Sequence, residues 1–293
     1  MLFRSMAGLL ALCMFGIGKA ALMPVHRWLP AAMVAPTPVS ALLHAVAVVK
    51  AGVFSVVKVI VYIFGIDNLA QAGIGGAADW LVVVAGFTII AASIVALHAD
   101  NLKRRLAYST VSQLSYVIMA AALLAPLSVI GAVLHIAAHA LGKITLFFAA
   151  GAIYTAAHKT EVSQLDGIGR RMPWTMGAFA IGALSMIGLP PAAGFISKWF
   201  ILSGAVVAGQ WLVVAVITAS TLLNAAYFLP IIYRAFFVAP THGAGGPDHH
   251  PHGEAPWPCV LALVITAAGT VLLFFMPELP LGLARQMLGM QGD

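Results

Sequence analysis

Hydrophobic residues run along this chain in stretches long enough to cross a lipid bilayer, separated by short polar segments. A crossing helix needs about 20 apolar residues at about 1.5 Å rise each. The pattern predicts eight crossings, at residues 2–23, 40–64, 80–98, 107–125, 128–156, 173–208, 210–238 and 257–276. We therefore predict an all-α fold, a polytopic transmembrane helix bundle that forms one membrane domain over residues 1–293.

The sixth stretch is too long for one uninterrupted crossing. Its 36 residues would make roughly 54 Å of helix, against an apolar bilayer core of about 30 Å. Its middle holds Pro190 and Pro191 between Gly188 and Gly194, and consecutive prolines cannot continue a regular helix. One broken crossing and two short helices with a re-entrant turn both fit this pattern. We favour the single broken crossing because it gathers most cations on one side, expected to be cytoplasmic: Arg27, Lys103, Arg104, Arg105, Lys159, Arg170, Arg171 and Arg234.

A second interruption is predicted between the first two crossings. Trp28 follows Arg27 there, and the segment is rich in prolines: Pro24, Pro30, Pro36 and Pro38. A plain interfacial loop and a broken helix leading into a cavity remain equally open. The distinction matters because broken helices at membrane depth recur at ion sites, where protein or water satisfies the freed backbone groups.

Composition excludes a soluble protein. Hydrophobic residues make up 62% of the chain and charged residues only 8%, whereas soluble domains carry about 25% charged residues. The net charge of +6 is spread without a basic stripe, so we predict no nucleic-acid binding and read the cations as an orientation signal. Cys13 and Cys259 offer neither a disulfide framework nor a redox pair.

Ionisable residues inside the predicted crossings are the candidates for function. A charge at the bilayer centre costs roughly 3 kcal/mol on insertion scales, so such a side chain must face a cavity or a partner. Lys58, nearer the end of a crossing, can instead extend to the interface. The candidate proton pathway consists of Lys19, His44, Lys50, His135, His139, Lys143 and Lys198.

Three of these residues form a stripe on one helix face. Steps of four residues place His135, His139 and Lys143 within about 80° of one another. The His-x-x-x-His spacing also occurs at zinc sites, but no glutamate lies between the histidines and no third ligand is apparent. Histidine titrates near neutral pH, and a lysine away from water gives up its proton more readily. We therefore favour a proton relay, with a hydrogen-bonded pair of core histidines as the alternative.

The remaining polar segment, 239–256, is rich in histidine, glycine and proline. It could bind metal weakly, but the glycines and prolines favour a mobile, solvated loop, and we predict no metal site. No phosphate-binding loop, dinucleotide-binding turn or Ser-His-Asp grouping is visible. We expect no cofactor on this chain.

Several runs of sequence resemble the proton-conducting, antiporter-like subunits of respiratory complex I (NADH:quinone oxidoreductase) and of multisubunit Mrp-type monovalent cation/proton antiporters. Together these runs cover nearly the whole chain: Gly18–Pro24, Trp28–Met33, Ala35–His44, Leu106–Leu114, His135–Lys143 and Gly188–Lys198.

The resemblance implies a role for each matched residue. Lys19 is similar to a lysine in the first interrupted helix, whose proton affinity is set by a partner glutamate. Lys143 resembles the central lysine, reached through His135 and His139, and Lys198 resembles the terminal lysine in the second interrupted helix. His44 resembles a histidine near the first site. The implied mechanism is electrostatic, with protonation of one lysine changing the proton affinity of the next.

The match also implies that the chain starts near the middle of the family fold, without the helices that carry the glutamate, so we expect a fragment or a truncated product. Trp199, where some complex I members carry an aspartate, together with Lys50, favours the antiporter group of the family.

Three functions remain open. The first is the proton-translocating subunit of a Na⁺ or K⁺/H⁺ antiporter. The second is a membrane-arm subunit of a redox-driven pump, either an NADH:quinone oxidoreductase or a membrane-bound hydrogenase. The third is a non-conducting scaffold. The expected location is the cell (plasma or inner) membrane, and the expected partners are other membrane subunits of the same complex.

Overall fold

The computed structural model describes residues 2–70, 77–239 and 253–290. Within these ranges the chain is helical and contains no β-strand, only an isolated bridge between Asn101 and Glu161. The predicted all-α class is confirmed. Of the His-rich loop predicted at 239–256, residues 240–252 lie outside the described part of the chain.

The α-helices follow in this order: α1 Leu2–Gly16, α2 Trp28–Ala31, α3 Thr37–Ala41, α4 Val48–Lys58, α5 Ile66–Ala70, α6 Asp79–His98, α7 Leu102–Ala122, α8 Pro126–Ala157, α9 Ile168–Arg171, α10 Pro173–Ile187, α11 Ala193–Val207, α12 Trp211–Phe237, α13 Trp257–Phe275 and α14 Glu278–Met287. Helices α3 to α5 form one continuous helical segment, because π-helical turns at Leu42–Val46 and Val59–Gly65 join them.

Five helical segments are long and apolar enough to cross a membrane, and each lies where a crossing is predicted: Thr37–Ala70, Asp79–His98, Pro126–Ala157, Trp211–Phe237 and Trp257–Phe275. Shorter apolar helices coincide with the other predicted crossings except 107–125, where α7 carries many polar residues. The first predicted crossing, 2–23, is helical only to Gly16 and then makes a 3₁₀ turn at Gly18–Ala20. The amphipathic helix α14 was not predicted.

The predicted break in the sixth crossing is present. Helices α10 and α11 each have 15 residues, and Gly188 ends the first of them. The two halves pass so closely that a Cβ atom on Gly194 would lie 1.7 Å from the carbonyl oxygen of Ser185. Only glycine fits there, and its N–H donates a hydrogen bond to the Ser185 hydroxyl.

The proline-rich segment between α1 and α3 contains only short turns of helix. Pro24 lies in a turn, but Pro30 lies inside α2, and Pro36 and Pro38 flank the first residue of α3. Proline suits the first turn of a helix because its missing N–H has no intrahelical partner there. Pro36 and Pro38 thus lie where a helix begins.

Helix α8 lies at the centre of the bundle and contacts α3, α7, α10, α11, α13 and α14. Such a helix faces protein on nearly every side, which is why its polar side chains avoid lipid.

Candidate functional site

The predicted stripe on α8 is buried completely. His135, His139 and Lys143 are each 0% exposed, and the centroids of the two imidazole rings lie 6.2 Å apart. The four-residue spacing brings the groups together on one face of the helix, as the sequence predicts.

Lys50 joins this stripe from a different helix. Its Nζ is hydrogen-bonded to Nδ1 of His139, across 89 residues of sequence. The other ring nitrogen of His139, Nε2, has no hydrogen-bond partner among the described residues. His139 therefore lies between two lysines of the site, Lys50 and Lys143, with one nitrogen available for proton exchange.

Lys143 has a neutral partner. Its Nζ donates a hydrogen bond of 2.8 Å to the hydroxyl of Ser109 on α7 and lies 5.8 Å from the ring centroid of Phe228. The electron-rich face of an aromatic ring attracts a cation, so the ring partly replaces lost hydration without fixing a charge on the lysine.

Lys198, which lies on α11, binds the end of α10, the other half of the broken helix. Its Nζ donates to the carbonyl oxygens of Met186 and Ile187, at 2.8 and 2.9 Å, and lies 4.9 Å from the ring centroid of Tyr116. The last carbonyls of a helix have no intrahelical donor and carry the negative end of its dipole. The break at Gly188 therefore leaves carbonyl acceptors that the Lys198 amine binds.

Lys19 differs from the rest of this group in its exposure to the surroundings of the chain. Lys19 is exposed and lies in the 3₁₀ turn after α1. His44 is buried, with its ring centroid 5.2 Å from that of Phe147, and neither of its ring nitrogens reaches a partner with hydrogen-bond geometry in the described part of the chain. Of the seven predicted residues, six are buried and Lys19 is not.

Sequence reasoning missed the polar side chains that connect the site. His135 lies 2.8 Å from the hydroxyl of Ser197 through Nδ1 and 3.0 Å from Oε1 of Gln113 through Nε2. Gln113 in turn donates to Asn224 of α12. The available signal was the run Ser109–Ser115, in which hydrogen-bonding residues are concentrated in the first half of a predicted crossing.

No carboxylate neutralises these buried lysines within the described residues. The salt bridge found there joins Arg234 to Asp166 at 2.6 Å, outside the stripe, and the Arg234 guanidinium holds the pKa of Asp166 below its usual value by donating hydrogen bonds to it. Among the described residues, these lysines therefore have no carboxylate that would hold them in the charged form. The described residues also contain no group of three possible metal ligands.

A separate cavity of about 820 Å³ opens beside α3, α8 and α13. Its walls are mostly apolar, and Lys103 and Lys159 are among the residues that line it. Phe147 also lines this cavity and contacts His44, but Lys50, Lys143 and Lys198 do not line it. The lysine and histidine site is therefore a packed set of side chains rather than part of this cavity.

Comparisons with known proteins identify close similarity. The family described as NADH:quinone oxidoreductase/Mrp antiporter, TM, matches residues 2–224. NADH-quinone oxidoreductase subunit N of Desulforudis audaxviator is 37% identical over 267 residues, which cover 88% of this chain and 52% of that protein. NADH-quinone oxidoreductase subunit L of Rickettsia conorii is 39% identical over 221 residues, which cover 75% of this chain and 32% of that protein.

A solved structure shows the same fold. A chain in the structure of the Mrp complex from Dietzia sp. DQ12-45-1b superposes with a TM-score of 0.85 at 24% identity, covering 96% of this chain and 58% of that one. This chain spans about half the length of the subunit N relative and about a third of the subunit L relative.

Proposed function

Because the chain belongs to the NADH:quinone oxidoreductase/Mrp antiporter transmembrane family, we propose that it moves protons across the cell membrane along its buried lysines and histidines, as one subunit of a multisubunit complex. The observation that supports this proposal is the arrangement of Lys50, Lys143 and Lys198, which are all buried and have neutral hydrogen-bond partners.

The proposed mechanism follows from this arrangement. A buried amine bound to neutral groups is not held in its charged form, whereas an amine paired with a carboxylate would stay charged. A proton on Lys50 raises the cost of a second proton on Lys143, since like charges repel strongly away from water. His139 lies between them and passes the proton on. Lys198 takes it up or releases it at the broken helix.

Two driving reactions are candidates. Exchange of Na⁺ or K⁺ for protons is the one that the sequence favours through Lys50 and Trp199. A redox-driven complex is favoured by the two curated relatives, both of which are NADH-quinone oxidoreductase subunits. In either case we expect other membrane subunits as partners and the redox centres, where present, on those subunits.

The test uses everted membrane vesicles that contain the chain with the partners encoded beside it. If the first candidate is correct, adding Na⁺ or K⁺ without an electron donor dissipates an imposed pH gradient. If the second is correct, the cations do nothing and an electron donor builds a gradient. Lys143→Ala abolishes the response in both cases, whereas Lys58→Ala, at an exposed position, preserves it.

If the pH gradient of the unmodified complex does not change in either assay, or if Lys143→Ala is fully active, the chain is instead a scaffold that does not conduct protons.

A further inference from the structure

The two ring nitrogens of His135 face different kinds of partner. Nδ1 lies 2.8 Å from the hydroxyl of Ser197, which can either donate or accept a hydrogen bond. Nε2 lies 3.0 Å from Oε1 of Gln113, and a carboxamide oxygen only accepts. A neutral imidazole carries one proton, so the orientation of the Gln113 amide decides which nitrogen holds it.

That orientation is fixed by acceptors on the other side of the amide. Nε2 of Gln113 lies 3.2 Å from the carbonyl oxygen of Met186 and 3.1 Å from Oδ1 of Asn224. A flipped amide would set its oxygen against both of these oxygens and lose two hydrogen bonds. Losing buried hydrogen bonds and opposing like dipoles are both costly away from water, so the amide nitrogen faces Met186.

Asn224 is oriented in the same way. Its Nδ2 donates a hydrogen bond of 2.7 Å to the carbonyl oxygen of Ser220, an atom that cannot donate. Its Oδ1 is therefore the acceptor for Gln113 and also for the hydroxyl of Tyr227. Two backbone carbonyls thus determine the direction of every hydrogen bond from Asn224 to His135.

We propose that Gln113 is a positioning residue that keeps the proton of neutral His135 on Nε2, so that His135 gains and loses its second proton only at Nδ1, beside Ser197. This inference rests on the proposed function, because it assigns a direction to one step of the proton pathway.

The direction in which the Ser197 hydroxyl donates depends on the protonation state of the His135 ring. When His135 is neutral, Ser197 donates its hydrogen to Nδ1. When a proton arrives at Nδ1, the new N–H donates to Ser197, whose hydroxyl hydrogen turns to the carbonyl oxygen of Gly194, 3.0 Å away. That carbonyl belongs to α11, the helix that carries Lys198. His135 therefore exchanges protons on the α11 side.

The opposite nitrogen is closed to exchange. A proton on Nε2 is held against Gln113, whose amide oxygen is a poor base and cannot pass the proton on. The usual relay, in which a proton enters one ring nitrogen and leaves from the other, is blocked at His135. The segment from Lys198 to His135 is thereby separated from the segment that contains His139 and Lys50 until the Gln113 bond breaks.

The experiment is nitrogen NMR of the membrane complex labelled with ¹⁵N-histidine, at a pH at which His135 is neutral. The His135 resonances are identified by their loss in His135→Gln. In the unmodified complex we expect a protonated Nε2 and a bare Nδ1. Gln113→Met, which keeps the length of the side chain but none of its hydrogen bonds, is expected to change the ratio of tautomers by about tenfold, the upper end for one buried hydrogen bond.

Gln210→Met is the matched control, because Gln210 is exposed and lies between α11 and α12, outside this network. Asn224→Leu removes one of the two acceptors that orient the amide of Gln113. It is expected to shift the ratio in the same direction and stands in if Gln113→Met does not fold. A proton on Nδ1 in the unmodified complex, or a ratio that Gln113→Met and Asn224→Leu leave unchanged, would overturn the proposal. The readout does not depend on transport, so failure of the proposed function leaves this result interpretable.

Discussion

Replacing Gly188 with alanine tests how the broken helix makes its cation site. Gly188 ends α10 with φ of 89° and ψ of 45°, a left-handed conformation that other residues adopt at a cost. A Cβ atom there would also lie 2.6 Å from Cδ of Lys198, closer than non-bonded carbon atoms approach. The side chain of Lys198 cannot simply rotate away, because its Nζ is bound to the carbonyl oxygens of Met186 and Ile187.

The size of the effect of Gly188→Ala follows from the left-handed backbone and from the contact with Lys198. Left-handed backbone at a residue with a Cβ costs about 1–2 kcal/mol, a factor of about 5 to 30 in an equilibrium between two arrangements. Relief of the contact requires Lys198 to move, which weakens two hydrogen bonds from a charged donor, each worth about 1.5–3 kcal/mol. We therefore expect Gly188→Ala to lower proton flux at least tenfold and to lower the thermal unfolding temperature of the complex.

Gly177→Ala is the matched control within the same helix. A Cβ atom on Gly177 would meet nothing within 4 Å, and alanine is favoured over glycine in a helix interior by roughly 0.5–1 kcal/mol. Flux should be unchanged and stability equal or slightly higher. Both are measured in vesicles of the unmodified complex and of each variant. If Gly188→Ala matches the unmodified complex in flux and in unfolding temperature, the left-handed glycine does not shape the Lys198 site and this reasoning is wrong.

Three further predictions concern other parts of the chain. Lys50→Met removes the partner of His139 and should reduce proton flux severalfold, whereas Lys58→Met, on an exposed face of the same helix, should not; equal effects of the two would contradict a specific role. Glu254→Ala removes a carboxylate that accepts hydrogen bonds from N–H groups in the first turn of α10. Like the loss of a helix cap, this change should destabilise the chain by about 0.5–2 kcal/mol, as measured by denaturant unfolding in detergent. Because Arg234 lowers the pKa of Asp166, their pairing stabilises the folded state fully above the ordinary carboxyl pKa, and this contribution is lost as pH falls through the lowered pKa. Unfolding temperatures measured from pH 6 to pH 3 should therefore fall less for Asp166→Asn than for the unmodified chain. An equal fall in both would argue against the pair.

The amino-acid sequence by itself determined the class of the protein and showed which ionisable residues lie within apolar segments. A chain with 62% hydrophobic and 8% charged residues cannot fold as a soluble protein. The length of each crossing helix then follows from the thickness of the bilayer. The break at Pro190 and Pro191 was also predictable, because the local chemistry of proline forbids a continuous helix whatever surrounds it. The stripe from His135 to Lys143 was predictable for the same reason, since residues four apart share a helix face in any context.

Tertiary structure decided which of these residues belong together. Nothing local indicates that Lys50 reaches His139 on α8, that Ser109 is the partner of Lys143, or that Lys19 stays outside the buried group. The orientation of the Gln113 amide beside His135 is also non-local, because it depends on Met186 and Asn224, which come from helices far apart in sequence. Spacing fixes only which side chains share one helix face. The neighbours of that face, and therefore the partners and the direction of each hydrogen bond, depend on how the helices pack against α8.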